Sequence, residues 1–283
     1  ILWSPNYLLT KIASEEIGPF WLTSSRFLIS SLILSIILIL SQKNLKAFSF
    51  SWKHFIVVAL LSNILPITAL CYVAPFLDTV LISLVQGGIP LFTMIFSHFF
   101  LSEEKLTAYK IKGLSIGVFG LFLILFPEIN LQAIINAKFI GILLTLFAAL
   151  SFSAGIIYAR IFVAKQNSPI QSATATYIGA GALGALLASL LETPPALNEI
   201  SSHVYASVII YAVFCSVLSS ILYYRMSAFY NTSSISLSTL LLPVYSCILG
   251  TYFFNEGLNL ITISGGLLIL YGTWYAGQKK ERT

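Results

Sequence analysis

Ser83, Gln86, Gly87 and Pro90 recur at i, i+3, i+4 and i+7 within an otherwise apolar stretch. That spacing gathers them on one face of a helix. A polar face is costly against lipid and is expected to look into an interior. There it could hydrogen-bond a solute, or simply tie helices together as Ser and Thr do in membrane bundles. Ser236, Thr239 and Pro243 stand at the matching places 153 residues later, so two such stripes are expected to face one another. Pro90 and Pro243 each remove a helix hydrogen bond and permit a kink, which makes them candidate hinges.

Arg26 offers a second kind of chemistry. It lies about one and a half turns inside an apolar run, where a guanidinium can grip a carboxylate through two parallel hydrogen bonds. Pairing with Asp78, or reaching out to headgroups, are its alternatives. Ser4, Asn6 and Tyr7 cluster with Trp3, and Tyr72, Tyr158, Tyr177 and Tyr223 sit deep in apolar runs. Each buried hydroxyl there needs a partner. Together these groups suit binding of an amphipathic organic solute with an apolar or planar part.

Other chemistry finds no support. Cys71, Cys215 and Cys247 match no metal or redox spacing and read as small packing residues. His54, His98 and His203 are scattered. No nucleophile–base pair, metal constellation or cofactor motif is present, so no catalytic residue, metal or cofactor is expected. Glu103, Glu104 and Glu256 mark the ends of apolar runs, and no acid falls near the middle of one. Proton-driven pumps usually keep an acidic relay inside the membrane, so facilitated exchange or uniport is the expectation.

The elements that must hold these groups follow from composition. Hydrophobic residues make up 58% of the 283-residue chain and charged residues 9%, against about 25% charged in soluble domains. Mean hydropathy is +0.92. Lipid is the solvent that accepts such a surface, and a helix needs about 20 apolar residues to cross it. Spans are expected near 21–40, 55–74, 79–101, 111–126, 139–164, 170–191, 204–226, 233–254 and 260–277. A further one, from Ile1 to about Lys11, is too short to cross alone, and its first half is expected to precede the printed sequence. The expected fold is all-α integral membrane, with ten transmembrane helices.

Lys43, Lys46, Lys53, Lys105, Lys110, Lys112, Lys165, Lys279, Lys280 and Arg282 fall in alternate loops and the tail, whereas the opposite side receives fewer basic residues, Lys11, Lys138 and Arg26, together with Asp78, Glu192, Glu199 and Glu256. The positive-inside pattern makes the Lys-rich side cytoplasmic, with both termini there. The basic residues form no aromatic-interleaved patch, so no nucleic-acid partner is expected. Membrane lipid and a small-molecule substrate are the expected partners.

The offset of 153 extends further. Phe76, Thr79, Ile82, Pro90, Phe100, Glu103 and Gly113 return as Phe229, Thr232, Ile235, Pro243, Phe253, Glu256 and Gly266. A weaker offset of 149 pairs Lys11 with Arg160. Two five-helix repeats, 1–127 and 139–283, are therefore expected. Because five is odd, they should sit inverted around a central cavity, as in secondary transporters. Gly113, Gly117, Gly179, Gly181 and Gly184 allow close helix approach, so a monomer or a weak homodimer is the expected state.

At these residues the chain resembles the drug/metabolite transporter superfamily, in its ten-helix EamA-like branch. The resemblance rests on Pro90-Leu91-Phe92 with Ser102-Glu103-Glu104-Lys105-Leu106, and on Pro243 with Asn255-Glu256-Gly257-Leu258. Trp3-Ser4-Pro5-Asn6 and Arg26-Phe27 add to it. It implies a basket in which spans five and ten buttress the other eight. It also implies export or uptake, through the cell inner membrane, of amino acids or related metabolites, with S-adenosylmethionine uptake in some members from intracellular bacteria. A channel is the competing class, and it would need a continuous pore.

Overall fold

The computed structural model describes residues 3–41, 52–126, 137–163, 168–227, 229–230, 241–256 and 259–278. No strand occurs among them. Among the described residues seven helices are long and apolar enough to cross a membrane: α2 (Pro19–Leu40), α3 (Trp52–Val73), α4 (Thr79–Phe100), α6 (Ala137–Phe162), α7 (Pro169–Leu191), α8 (Ser202–Met226) and α10 (Leu260–Gly277). Between them lie α1 (Asn6–Ala13), α5 (Ala108–Leu125) and α9 (Leu241–Phe254). The chain is a multi-pass membrane protein. Leu32, Leu40, Phe99 and Leu190 lie exposed on its perimeter, where lipid tails accept them.

Small residues set how closely the helices approach. A β-carbon at Gly113 or Gly120 of α5 would run into the carbonyl of Gly272 or Gly265 of α10, and the converse also holds. Gly181 and Gly184 of α7 likewise seat Leu28 and Ser24 of α2. These glycine faces are therefore filled within one chain. One apolar core joins α2, α3, α7 and α8 through Phe27, Leu34, Val58, Tyr177 and Val208. A second joins α3, α4, α5, α6 and α10 through Val73, Val85, Leu114, Ile142 and Ile269.

Three of the long helices depart from regular α geometry. The middle of α3 widens to an i→i+5 pattern over Leu60–Ile64, and α8 does the same over Tyr211–Leu218. Such widening loosens the carbonyl ladder and is concentrated at functional sites. Here the carbonyls in it are used: Leu61 accepts from Ser151 at 2.8 Å, and Ala212 from Ser30 at 3.1 Å. The fourth span loosens at Gly87–Gly88, between the regular segments Thr79–Gln86 and Ile89–Phe100. Pro90 then stands in the first turn of the second segment, where its missing N–H is tolerated.

Candidate functional site

Two adjoining hollows occupy the middle of the bundle. The first, about 600 Å³, is lined by Trp3, Asn6, Tyr7, Arg26, Asn63, Gln86, Phe152, Tyr177 and Cys215 among others. The second, about 430 Å³, shares Trp3, Ser62, Asn63, Phe152 and Tyr177 with the first and continues past Val58 and Ala159 to Tyr223 and Tyr224. Together their walls come from α1, α2, α3, α4, α6, α7, α8 and α9, and none of the lining residues belongs to α5 or α10. Along α3 the lining runs from Leu70 back to Val58, and along α8 from Cys215 on to Tyr224. The space therefore extends from mid-height towards the end where α3 begins and α8 finishes.

Arg26 is the charge in this space. It is 4% exposed, and its guanidinium donates to Ser216 Oγ at 2.5 Å, Asn6 Oδ1 at 3.3 Å and the Cys215 carbonyl at 3.4 Å. It also lies over the Tyr211 ring at 3.6 Å, a favourable cation–π placement. Thr10 holds the Tyr211 hydroxyl at 2.8 Å, and Tyr177 donates to the Ser216 carbonyl at 3.4 Å. Every one of these partners is neutral. The Lys11–Glu256 ion pair lies elsewhere. A buried guanidinium held by dipoles alone keeps most of its charge uncompensated, and an anion entering the hollow would supply the missing counter-charge.

The far end of the bundle is sewn shut by carboxylates. Glu256 accepts from Lys11 Nζ at 2.8 Å, from the Thr79 N–H at 3.0 Å, from the Thr79 hydroxyl at 2.7 Å and from the Val80 N–H at 3.1 Å. The first N–H groups of α4 have no intrahelical partner, and Glu256 satisfies them while complementing the helix dipole. Its position is built locally. Asn255 closes α9 with a left-handed φ of 51°, and the Glu256 N–H returns to the Gly250 carbonyl at 3.3 Å, a helix-ending turn that favours Gly or Asn. A β-carbon at Gly250 would strike both Glu256 and Thr79. Burial pushes the Glu256 carboxyl up, but Lys11, Thr79 and Val80 outweigh it and hold the group below its ordinary range.

Glu192 does the same for α2, accepting from the Phe20 N–H at 3.0 Å and the Trp21 N–H at 3.1 Å. Glu16 does so for α8, accepting from the Ser201 N–H at 2.7 Å and the Ser201 hydroxyl at 2.6 Å. Those bonds hold the Glu16 carboxyl below its ordinary range.

Asn6, Tyr7, Arg26, Gln86, Tyr177 and Tyr223 are thus brought to the two adjoining hollows, and Gln86 donates to the Thr145 carbonyl of α6 at 3.2 Å. Arg26 turns inward and does not pair with Asp78. Four expected site residues stand apart. Tyr72 is 57% exposed and packs edge-on against Phe76; two residues past Leu70, it points about 200° round the helix from the lining. Tyr158 meets His54 Nδ1 at 2.8 Å and Phe162. Ser83 spends its hydroxyl on the Val80 carbonyl at 2.8 Å. The Ser4 hydroxyl is buried with no partner. Ser236 and Thr239 lie outside the described residues, whereas Pro243 is buried and a β-carbon at Gly87 would sit 3.3 Å from it.

Ser62, Asn63, Phe152, Cys215 and Ser216 are among the lining or anchoring residues not singled out as site residues from the sequence. Asn63, with Pro66 three residues on, is the signal that was available: an amide and a helix breaker inside an apolar span. Ser62 and Asn63 also stand 153 residues before Cys215 and Ser216, so the repeat offset carries one widened turn onto the other. Among the described residues no three of His, Cys, Asp or Glu gather to hold a metal.

The model of the EamA-like transporter family matches residues 1–126 and again 139–277. An uncharacterized transporter of Buchnera aphidicola is 25% identical over 97% of this chain and 87% of its own length. The uncharacterized transporter YoaV of Bacillus subtilis is 24% identical, over 96% and 91%. Protein PagO of Salmonella typhimurium is 25% identical, over 92% and 84%. A solved crystal structure superposes with a TM-score of 0.72 over 98% of this chain and 93% of that one, at 19% identity, which speaks for the fold.

Proposed function

This chain belongs to the EamA-like transporter family, and from that premise we propose that it carries small amphipathic carboxylate-bearing solutes, the broad class that includes amino acids and related metabolites, across the bacterial inner membrane by alternating access. The observation that carries this reading is Arg26: buried, lining the central hollow, and held only by neutral partners. Ten spans in two inverted halves, 1–127 and 139–283, would place that hollow at the seam between the halves, where secondary transporters keep their sites. The matching widened turns in α3 and α8 support the duplication, as does the family model's fit to each half.

The positive-inside pattern puts the Lys-rich end in the cytoplasm. The state described is then closed outside by Lys11, Glu256 and Thr79, with the hollow reaching inward. Arg160, Glu103 and Glu104 line a separate recess at the other end, and by the offsets of 149 and 153 Arg160 and Glu103 take the Lys11 and Glu256 roles when the carrier swings. Pro90 and Pro243, with Gly87 between them, are the hinge of that swing.

With no acid inside any span, transport proceeds as exchange or uniport. A protonophore is expected to leave it unchanged; collapse of transport on adding one would overturn this. The functional test is flux into proteoliposomes across amino acids, S-adenosylmethionine, S-adenosylhomocysteine and nucleosides. Saturable, trans-stimulated uptake of a carboxylate, lost in Arg26→Gln, is expected. Flux that neither saturates nor responds to solute on the other side would instead mark a channel. Retained uptake in Arg26→Gln would sink the anchoring role.

A further inference from the structure

The acids of this chain fix which charge its cavity tolerates. All ten Asp and Glu residues, at 15, 16, 78, 103, 104, 128, 192, 199, 256 and 281, lie at or beyond the ends of the apolar spans. Neither hollow is lined by one. The segment 231–240 contains none either, so it can add no negative charge to the cavity. At one end of the space stands Arg26; towards the other stand Trp3, Phe152, Tyr223 and Tyr224, with Trp3 edge-on to Phe152 at 6.1 Å between ring centroids and tilted over Tyr223 at 6.3 Å. Between them Asn63 and Gln86 offer neutral amides.

Resting on the carboxylate reading above, we propose that the cavity selects monoanions: carboxylates with an aromatic or bulky apolar body and no ammonium group, such as aryl 2-oxo acids and arylalkanoates. The carboxylate meets Arg26, where a bidentate pair neutralises the buried guanidinium. The body runs along the shared wall to Trp3 and Phe152, whose flat faces accept rings. An α-ammonium would be carried within a few ångströms of the same guanidinium, in a low-dielectric space without a carboxylate to receive it. Like charges brought together there are repelled, and the ammonium must also shed its water. Discrimination therefore comes from what the cavity rejects as much as from what it binds.

Purified full-length protein in proteoliposomes, assayed by counterflow of labelled phenylpyruvate, tests this with a matched set of competitors: 3-phenylpropanoate, phenylalanine, phenethylamine and pyruvate. The expected order is that 3-phenylpropanoate competes at concentrations about tenfold or more below phenylalanine and pyruvate, and phenethylamine not at all. Trp3→Ala is expected to weaken the aryl acids about tenfold more than it weakens pyruvate, a selective pattern that a merely unstable variant would not give. Phenylalanine matching or beating 3-phenylpropanoate would overturn the monoanion proposal, yet leave the carboxylate reading intact if Arg26→Gln abolishes phenylalanine uptake. Phenethylamine competing as well as the acids would overturn both. Absence of phenylpyruvate counterflow, in protein that carries another solute from the wider screen, would overturn the proposal alone.

Discussion

The two ends of this molecule are held by different means. At the end where α2, α4, α8 and α10 begin, Glu16, Glu192 and Glu256 each reach across from one half of the chain to helix N–H groups of the other, over 171 to 185 residues of sequence. At the opposite end the caps seen are local. Ser168 and Gln171 cap α7 reciprocally, and Thr107 accepts from the Lys110 N–H. A local cap stabilises its own helix whichever way the halves are tilted. A carboxylate from the other half does so only while the halves are together. The difference separates an end where α2, α4 and α8 take caps from distant carboxylates, α10 being capped locally by Asn259, from one where the described caps, on α5 and α7, are local, and the hollow extends towards the second.

Removing Glu256 should break this comparison hardest. Glu256→Ala strips acceptors from four donors, one of them charged, and is expected to cost about 3 kcal/mol, read as a lower melting temperature in detergent with the protein still folded. Gly250→Ala should follow at about 1–3 kcal/mol, because its methyl group would push Glu256 and Thr79 apart. Glu192→Gln keeps the shape but loses the charge on the α2 cap, and about 1 kcal/mol is expected. Glu16 is exposed, and Glu16→Gln should leave the melting temperature unchanged. If Glu16→Gln proved as costly as Glu256→Ala, the ranking by burial would fail.

pH sharpens the same contrast. A carboxyl held below its ordinary range contributes stability that is present above that range and is lost as pH falls through its depressed value. Glu256 is such a group. The gap in melting temperature between wild type and Glu256→Gln should therefore stay constant from pH 8 to about 5 and close only as pH falls below the usual carboxylate range. A gap that closed near neutrality would show that some other group controls this end.

The spans were legible because twenty-residue apolar runs have few alternatives to crossing a bilayer. Leu260–Gly277 matches its expected bounds, and Thr79–Phe100 differs from them by one residue. Hydropathy is silent, however, on a turn that widens within a run. Nothing but Asn63 and Pro66 marked the change over Leu60–Ile64, and the loosening at Gly87–Gly88 was masked by treating Pro90 as the break. Helical spacing fixes which residues share a face, not what that face meets. Gln86 reached the hollow, while Ser83 on the same stripe turned back to its own helix. Deep position alone was a poorer guide still: Tyr177 lies inside and Tyr72 on the perimeter. Glu256 could be read only as the end of a span, because its partners lie some 177 residues away.

The most direct test places a single cysteine in the hollow. Ser62→Cys, in a chain with Cys71, Cys215 and Cys247 replaced by alanine, is labelled by a membrane-impermeant maleimide in oriented vesicles. Labelling is expected from the Lys-rich face, slowed about tenfold by a saturating carboxylate solute, with that protection abolished by Arg26→Gln. Labelling that proceeds only from the Glu256 face, or that no carboxylate slows, would contradict that expectation.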